Sequence, residues 1–336
     1  MSDWQIFKGE GRPAEPERWD QLVAPPTWRS FTPSGPVRDV DTIVERREYR
    51  LAELLNTDAV DMVNAALTLR RPLLVTGDAG VGKSTLAQLV ATELRLGPVL
   101  RWPVTSASRL SDGLYEYDAI GHVRAQSLQQ GRSPAADGPF GPGDIGRYIR
   151  LGPLGTALLP WNRPRVVLID ELDKSDIDLP NDLLHVFEEG GFRIRELARL
   201  AESEPGGESA PVSVLTEDSD TPTVVPRGWV RCNQFPFVVM TSNGERPFPA
   251  PFLRRCLRLK LEPPSEQQLE TIVHRLLDGV PGEHGARIRE FVEARETRTL
   301  ATDQLIDAIY LAASCPEDRP APASVELQIM QGLDPT

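Results

Sequence analysis

Apolar positions change their spacing repeatedly along the chain, and the changes outline its elements. From Asn56, residues Val60, Val63, Ala66 and Leu67 recur at helical spacing until Arg70-Arg71-Pro72 stops the pattern. "PLLVT" (72–76) is a short apolar run of strand length. The glycine-rich turn "GDAGVGKST" (77–85) follows, and Leu86, Leu89, Val90 and Leu94 then mark one face of a helix. "GPVLRWPV" (97–104), "RVVLI" (165–169) and "FPFVVMTSN" (235–243) read as further strands. After the second of these, Leu183, Leu184 and Phe187 keep to one helical face up to Gly190-Gly191. Strands alternating with helices through short turns specify an α/β layer with a mostly parallel sheet.

The flanks have other textures. Residues 1–45 are proline-rich, with Trp4, Trp19 and Trp28 but little periodicity, and predict an extended arm. Three tryptophans are costly to leave in water, so the arm is expected to lie against the body, or else to dock a partner. The α/β domain then occupies 46–262, with insertions at about 112–160 and 192–233. Residues 126–144 hold many Gly and Pro and predict a surface loop. In the second insertion "FRIREL", "VSVLT" and "TVVPRGWVRC" read as strand-like pieces around a polar turn at 202–212. Past Pro263-Pro264 the pattern is all helix. Ser265 with Gln268 forms a capping box, and Leu269, Ile272, Val273, Leu276 and Leu277 follow at helical spacing. "ARIREFVEA" and "TDQLIDAIYLAA" complete a small helical domain over 263–314. The Pro-rich tail 315–336 is expected to be disordered, with "VELQIM" a candidate docking segment.

Composition narrows the function classes. With 37 basic and 49 acidic side chains, a net charge of −12 and a pI near 5.0, the chain lacks the basic surplus of a free-standing nucleic-acid binder. Cys232, Cys256 and Cys315 are an odd number without metal-ligand spacing, which fits reduced thiols of a cytoplasmic protein. The four histidines show no zinc-type pairing. No apolar run approaches membrane-spanning length, and the N-terminus is polar where a signal peptide would be apolar. A soluble, intracellular protein is expected.

The strongest chemical signal is Gly77-Asp78-Ala79-Gly80-Val81-Gly82-Lys83-Ser84, followed by Thr85, which fits G-x-x-x-x-G-K-[ST] without departure. Its glycines let successive backbone N–H groups turn toward phosphates, and the helix behind adds its positive end. Lys83 is expected to reach the β- and γ-phosphates of ATP, and the Ser84 hydroxyl to bind Mg²⁺. Asp170 ends an apolar strand, where its carboxylate suits a metal-holding role through water. Glu171 projects differently and suits the base that polarises an attacking water. Asp173, Asp176 and Asp178 read as helix-start charge. Asn243, at the tip of another buried strand, could orient that water or be a simple turn residue before Gly244. Arg254 and Arg255 fall on a short helix well past these groups. "DKSD" (173–176) echoes the guanine-reading N-K-x-D only faintly, with Asp first and no strand of its own, so ATP is favoured over GTP.

Together these pieces resemble the AAA+ ATPases over roughly 56–314. The Walker A motif lies at 77–84, Walker B "VVLIDE" at 166–171, sensor 1 at Asn243, the arginine-finger box at 254–255 and the helical lid from 265. "GLYEYDAIGHV", "YIRLGPLGTALLP" and "DELDKSDIDLPNDLLHVFEEGGFRI" are similar to the MoxR and dynein-related branch, including its helix-2 insertion. The resemblance implies a P-loop αβα sandwich with a helical lid, ATP and Mg²⁺ as cofactors, and a homo-oligomeric ring, a hexamer. In such a ring Arg255, with Arg254 as backup, reaches a neighbour's γ-phosphate. It also implies remodelling or loading of a protein partner, with von Willebrand factor A-domain proteins as the expected adaptors. The lid departs from the family at its sensor-2 position, where the sequence reads Thr302-Asp303-Gln304; Arg298 or Gln304 could substitute. A nucleotide-gated scaffold with little turnover and a GTP-using nucleic-acid motor of restriction type are the rival readings.

Overall fold

The computed structural model describes residues 4–40, 55–129, 145–203, 211–218, 222–276, 284–295, 300–314, 325 and 328–329. Helix α1 (Thr57–Leu69) leads into β1 (Leu73–Thr76), and the glycine-rich turn opens α2 (Lys83–Glu93). After β2 (Leu100–Pro103) come α3 (Leu110–Leu114), β3 (Tyr115–Tyr117), α4 (Ala119–Gln129), β4 (Ile149–Leu151) and α5 (Pro153–Ala157). Next are β5 (Val166–Asp170), α6 (Asp178–Glu189), β6 (Gly191–Arg193), α7 (Arg195–Ser203), β7 (Val212–Val214), β8 (Thr223–Val225) and β9 (Trp229–Arg231). Strand β10 (Phe237–Ser242), α8 (Ala250–Arg255) and β11 (Leu257–Lys260) finish the α/β layer. Helices α9 (Glu266–Leu276), α10 (Gly285–Arg295) and α11 (Thr302–Ser314) follow.

Five strands pair in the order β11-β1-β10-β5-β2, all parallel. Successive strand residues face opposite sides, so one apolar run feeds two cores. Val167, Ile169, Val238 and Met240 join a cluster with Leu183 and Phe187 of α6, whereas Val166, Leu168, Phe237 and Val239 join one with Val63 of α1 and Leu86 and Val90 of α2. Helices cover both faces, which is why these strands are continuous apolar runs. A third cluster (Leu269, Ile272, Ile288, Phe291, Leu305 and Ile309) lies among α9, α10 and α11. Each such side chain contributes about 1.5–3 kcal/mol by leaving water.

The predicted strands and helices of the α/β layer form close to where the periodicity places them. Two expectations need correction. "FRIREL" is not one strand: β6 ends at Arg193, and α7 begins at Arg195. A six-residue alternation is too short to separate the two periods, and the amphipathic turns of "RELARL" decide for helix. "TVVPRGWVRC" breaks at Pro226–Gly228, where Arg227 takes a positive φ of 53°. The arm lies against the body, and of its tryptophans Trp19 packs there, whereas Trp28 is 78% exposed and Trp4 is also exposed. Beyond residue 129 the predicted 126–144 loop lies outside the described residues. So do residues 204–210 of the polar turn, Arg298, Cys315 and nearly all of the tail.

Arm docking is polar as well as apolar. Ile6 and Phe7 are buried, and their N–H groups donate to Asn64 Oδ1 at 2.9 and 3.0 Å. Glu93, the last residue of α2, is fully buried and accepts from Lys8 N and Glu10 N, both at 2.6 Å, and from Arg18 Nη1 at 3.2 Å. The arm then crosses to the other face, where Arg29 Nη1 donates to Phe187 O at 2.6 Å and Phe31 meets Phe235. Cys232 and Cys256 are buried free thiols, and burial pushes both up to about 12. No helix among the described residues is long and apolar enough to cross a membrane.

Removing the Glu93 carboxylate strands two arm N–H groups and a guanidinium. Glu93→Ala should therefore lose roughly 2–4 kcal/mol in urea unfolding and expose the Arg18 bond to trypsin. Burial raises the Glu93 carboxyl above its ordinary value, against the opposing pull of its N–H donors and Arg18. Its contribution to stability is therefore fullest below the ordinary carboxylate value and fades as pH rises through the native one. Glu93→Gln should flatten that part of the stability–pH curve.

Candidate functional site

The cleft starts from the end of β1. Gly77 leaves the strand, and the chain curls through Gly80 and Gly82 before α2 begins at Lys83. Gly82 caps that helix at φ 93°, and Gly80 sits at φ 74° with the start of α11 against it. A Cβ on Gly80 would stand 2.5 Å from Ala301 Cβ, so both the conformation and the close approach require glycine. Lys83 Nζ donates to the carbonyls of Gly77 and Asp78, each at 2.7 Å, and so lies folded over the loop. Burial lowers its ammonium below the ordinary lysine value, while Asp78, Asp173, Asp170 and Glu171 pull it back. A phosphate arriving there would exchange loop carbonyls for stronger, charge-assisted partners.

Across the loop, Ser84 Oγ donates to Asp170 Oδ1 at 2.9 Å. Asp170 reaches that point because β5 ends there, at the C-terminal edge of the parallel sheet where ligands of such sheets bind. The hydroxyl and carboxylate are hard oxygen donors of the kind that Mg²⁺ takes while keeping several waters, so these residues fit the ion that the motif implies. Strand, glycine-rich loop, helix and acid-tipped neighbouring strand stand together. The fold is that of the P-loop NTPases, an αβα sandwich followed by a small helical unit.

One cavity of about 380 Å³ takes in Gly80 to Thr85, Asp170, Glu171, Thr241 and Asn243 on the α/β side. The helical unit closes it with Pro264, Ile272, Thr302, Asp303 and Ile306. Glu171 adopts a left-handed backbone, φ 59° and ψ 46°, and its carboxylate meets Lys174 Nζ at 2.8 Å. That hydrogen bond raises Lys174 above the ordinary lysine value. Asn243 lies at the tip of β10 and faces the same cavity. Arg254 and Arg255 do not join it. They immediately precede β11, whose first residue pairs with the first residue of β1, so they sit at the sheet edge opposite the glycine-rich loop. Arg255 is ion-paired to Glu188, and Arg71 donates to the backbone carbonyls of both arginines. Gln304 does not face the cavity: its Oε1 accepts from Ala301 N and its Nε2 donates to Ile329 O.

No family model matches the chain, and no curated protein sequence matches it. Among solved structures, the FIGL-1 AAA domain in complex with ADP aligns at 13% identity with a TM-score of 0.38, covering 80% of this chain and 74% of that one. NtrX from Brucella abortus, also in complex with ADP, aligns at 10% identity with a TM-score of 0.37, covering 83% of this chain. The chain spans 55% of the NtrX chain. At that level of likeness neither complex assigns a ligand or reaction to this chain.

Four features of the site escape sequence reasoning. Asp173, read above as helix-start charge, is instead buried, and its Oδ2 accepts from Asn243 N and Glu245 N, both at 3.0 Å. It ties the turn after β5 to the loop carrying Asn243. Thr241 bridges Asp170 and the Glu171 backbone. Leu55, Asn56, Leu261 and Pro263 line a smaller cavity of about 110 Å³ that shares Val81, Gly82, Thr85 and Pro264 with the first. Arg295 of α10 donates to Pro264 O at 2.9 Å and is near enough to Asp78 for that acid to oppose the effect of burial on it. Asp176 and Asp178 are exposed, as helix-start charges should be.

Asp173→Ala leaves two backbone N–H groups without their acceptor and should cost roughly 2–3 kcal/mol. Asp173→Asn keeps a carbonyl oxygen able to accept both and should cost no more than about 1 kcal/mol, as read by urea unfolding.

Proposed function

We propose that this chain is a Mg²⁺-dependent ATPase of the AAA+ type, resembling the MoxR and dynein-related branch. The observation that carries the reading is the Ser84–Asp170 contact at the mouth of the glycine-rich loop, with Glu171 and Asn243 on the same cavity. Backbone N–H groups of residues 79–84 would cradle the α- and β-phosphates, with Lys83 on the γ-phosphate. The smaller cavity between Leu55, Leu261 and Pro263 suits the base. Bound Mg²⁺, held by Ser84 and through water by Asp170, would supply charge against the β- and γ-oxygens. Glu171 takes a proton from the attacking water, and Asn243 orients that water. In this structure Glu171 is paired with Lys174, so turnover requires that ion pair to open.

Residues 263–314 would act as the lid, since Thr302, Asp303 and Ile306 of α11 close the cavity. Arg255, with Arg254 as second choice, would act on a neighbouring subunit's γ-phosphate. Their place at the far sheet edge supports action between subunits, because they are remote from this chain's own loop. A homo-oligomeric ring, hexameric in this reading, would bring them to a neighbour's loop. Its work would be to remodel or load a protein partner in the cytoplasm, with a von Willebrand factor A-domain protein as adaptor.

Glu171→Gln should keep nucleotide affinity and lower turnover by about 100-fold or more. Specific ATPase activity should rise with protein concentration, and Arg255→Ala should lower it by roughly 10³–10⁵-fold. A specific activity independent of concentration and indifferent to both Arg255→Ala and Arg254→Ala would overturn the ring. ATP binding without hydrolysis would favour a nucleotide-gated scaffold.

A further inference from the structure

Thr241 is buried in β10, two residues before Asn243, and its one hydroxyl makes two bonds of opposite polarity. It donates to Asp170 Oδ1 at 2.5 Å and accepts the Glu171 backbone N–H at 2.8 Å. The polarity is forced. An ionised carboxylate only accepts and an N–H only donates, so the hydroxyl proton has a single place to point. Glu171 needs such a contact. At φ 59° it holds a left-handed conformation that a residue with a Cβ adopts only where its surroundings impose it.

That conformation has a functional consequence. In a continuing strand, side chains alternate, and Glu171 would leave the sheet on the face opposite Asp170. The left-handed turn instead brings both acids to one cavity. We infer that Thr241 is the positioning residue for this site: its hydroxyl fixes the backbone of Glu171 relative to Asp170, and so sets where the base stands against the phosphates. The inference rests on the reading of Glu171 as the base.

Thr241→Val keeps the side-chain shape and removes the hydroxyl, whereas Thr241→Ser keeps the hydroxyl. Steady-state ATPase of the full chain should show kcat of the valine protein lowered about 10- to 100-fold, the scale of a misplaced catalytic group. KM for ATP and the Kd for fluorescently labelled ADP should stay within about threefold, and Thr241→Ser should stay within about threefold of wild type in kcat. In a Glu171→Gln background the valine change should add no more than about twofold, because the group it positions is already gone. Loss of ADP binding in parallel with kcat, or losses that multiply in the double variant, would reduce Thr241 to a structural role and overturn the inference. A valine protein with normal kcat would overturn it too. Thr241→Ala provides a second hydroxyl-free variant should valine disturb the packing. Absence of turnover in the wild type would overturn the ATPase reading along with the inference; turnover in the wild type that survives loss of the hydroxyl overturns the inference alone.

Discussion

A carboxylate at the end of a buried strand is the constraint on which the rest of the site depends. Asp170 leaves four fully buried apolar residues and enters a polar cleft within one residue. Its Oδ1 accepts two hydroxyl hydrogen bonds, one from the helix behind the glycine-rich loop and one from the neighbouring strand. Three separate segments are thereby fixed about one oxygen. The sheet makes this possible, because parallel strands end together at one edge and bring distant stretches of chain side by side. The register of β10 against β5, with Met240 opposite Ile169, carries Thr241 to the height of Asp170.

Legibility in the sequence followed the range of the interaction. The glycine-rich loop was legible because its demands are local: glycines where φ is positive, a strand before it and an amphipathic helix behind it. Asp170 and Glu171 were legible because an apolar run ending in acids marks a strand tip. Asp173 was not, although only two residues away, since the N–H groups that bury it come from residues 243 and 245. Local sequence shows a charge and not its future donors. The anchor of the arm was hidden for a related reason. Trp19 is conspicuous in the sequence, but beside it docking rests on Ile6, Phe7 and a buried glutamate that looks like any other surface acid in the sequence.

The helical unit brings an unusual charge to the cleft. Among the described residues lining the cavity it contributes Asp303 and no arginine. A carboxylate facing a polyphosphate is unfavourable unless cations intervene. Arg295 approaches from the neighbouring helix, but its guanidinium is engaged with the Pro264 carbonyl and lies over the Phe291 ring. With a polyphosphate in the cleft, as proposed above, the charge balance would lean on Lys83 and on an accompanying cation.

Helix α2 has two ends with different duties. Its first turn carries Lys83 and Ser84, and its last residue, Glu93, is the buried anchor of the arm. Eleven residues of helix form a rod of about 16 Å, stiff on the scale of the contacts at either end. One element thus joins the glycine-rich loop to the anchor of the arm. Coupling free energies are reciprocal, so if ligand binding at the loop were coupled to docking of the arm, displacing the arm would weaken that binding by the same factor. The arm is thus seated on the far end of the helix that presents Lys83 and Ser84.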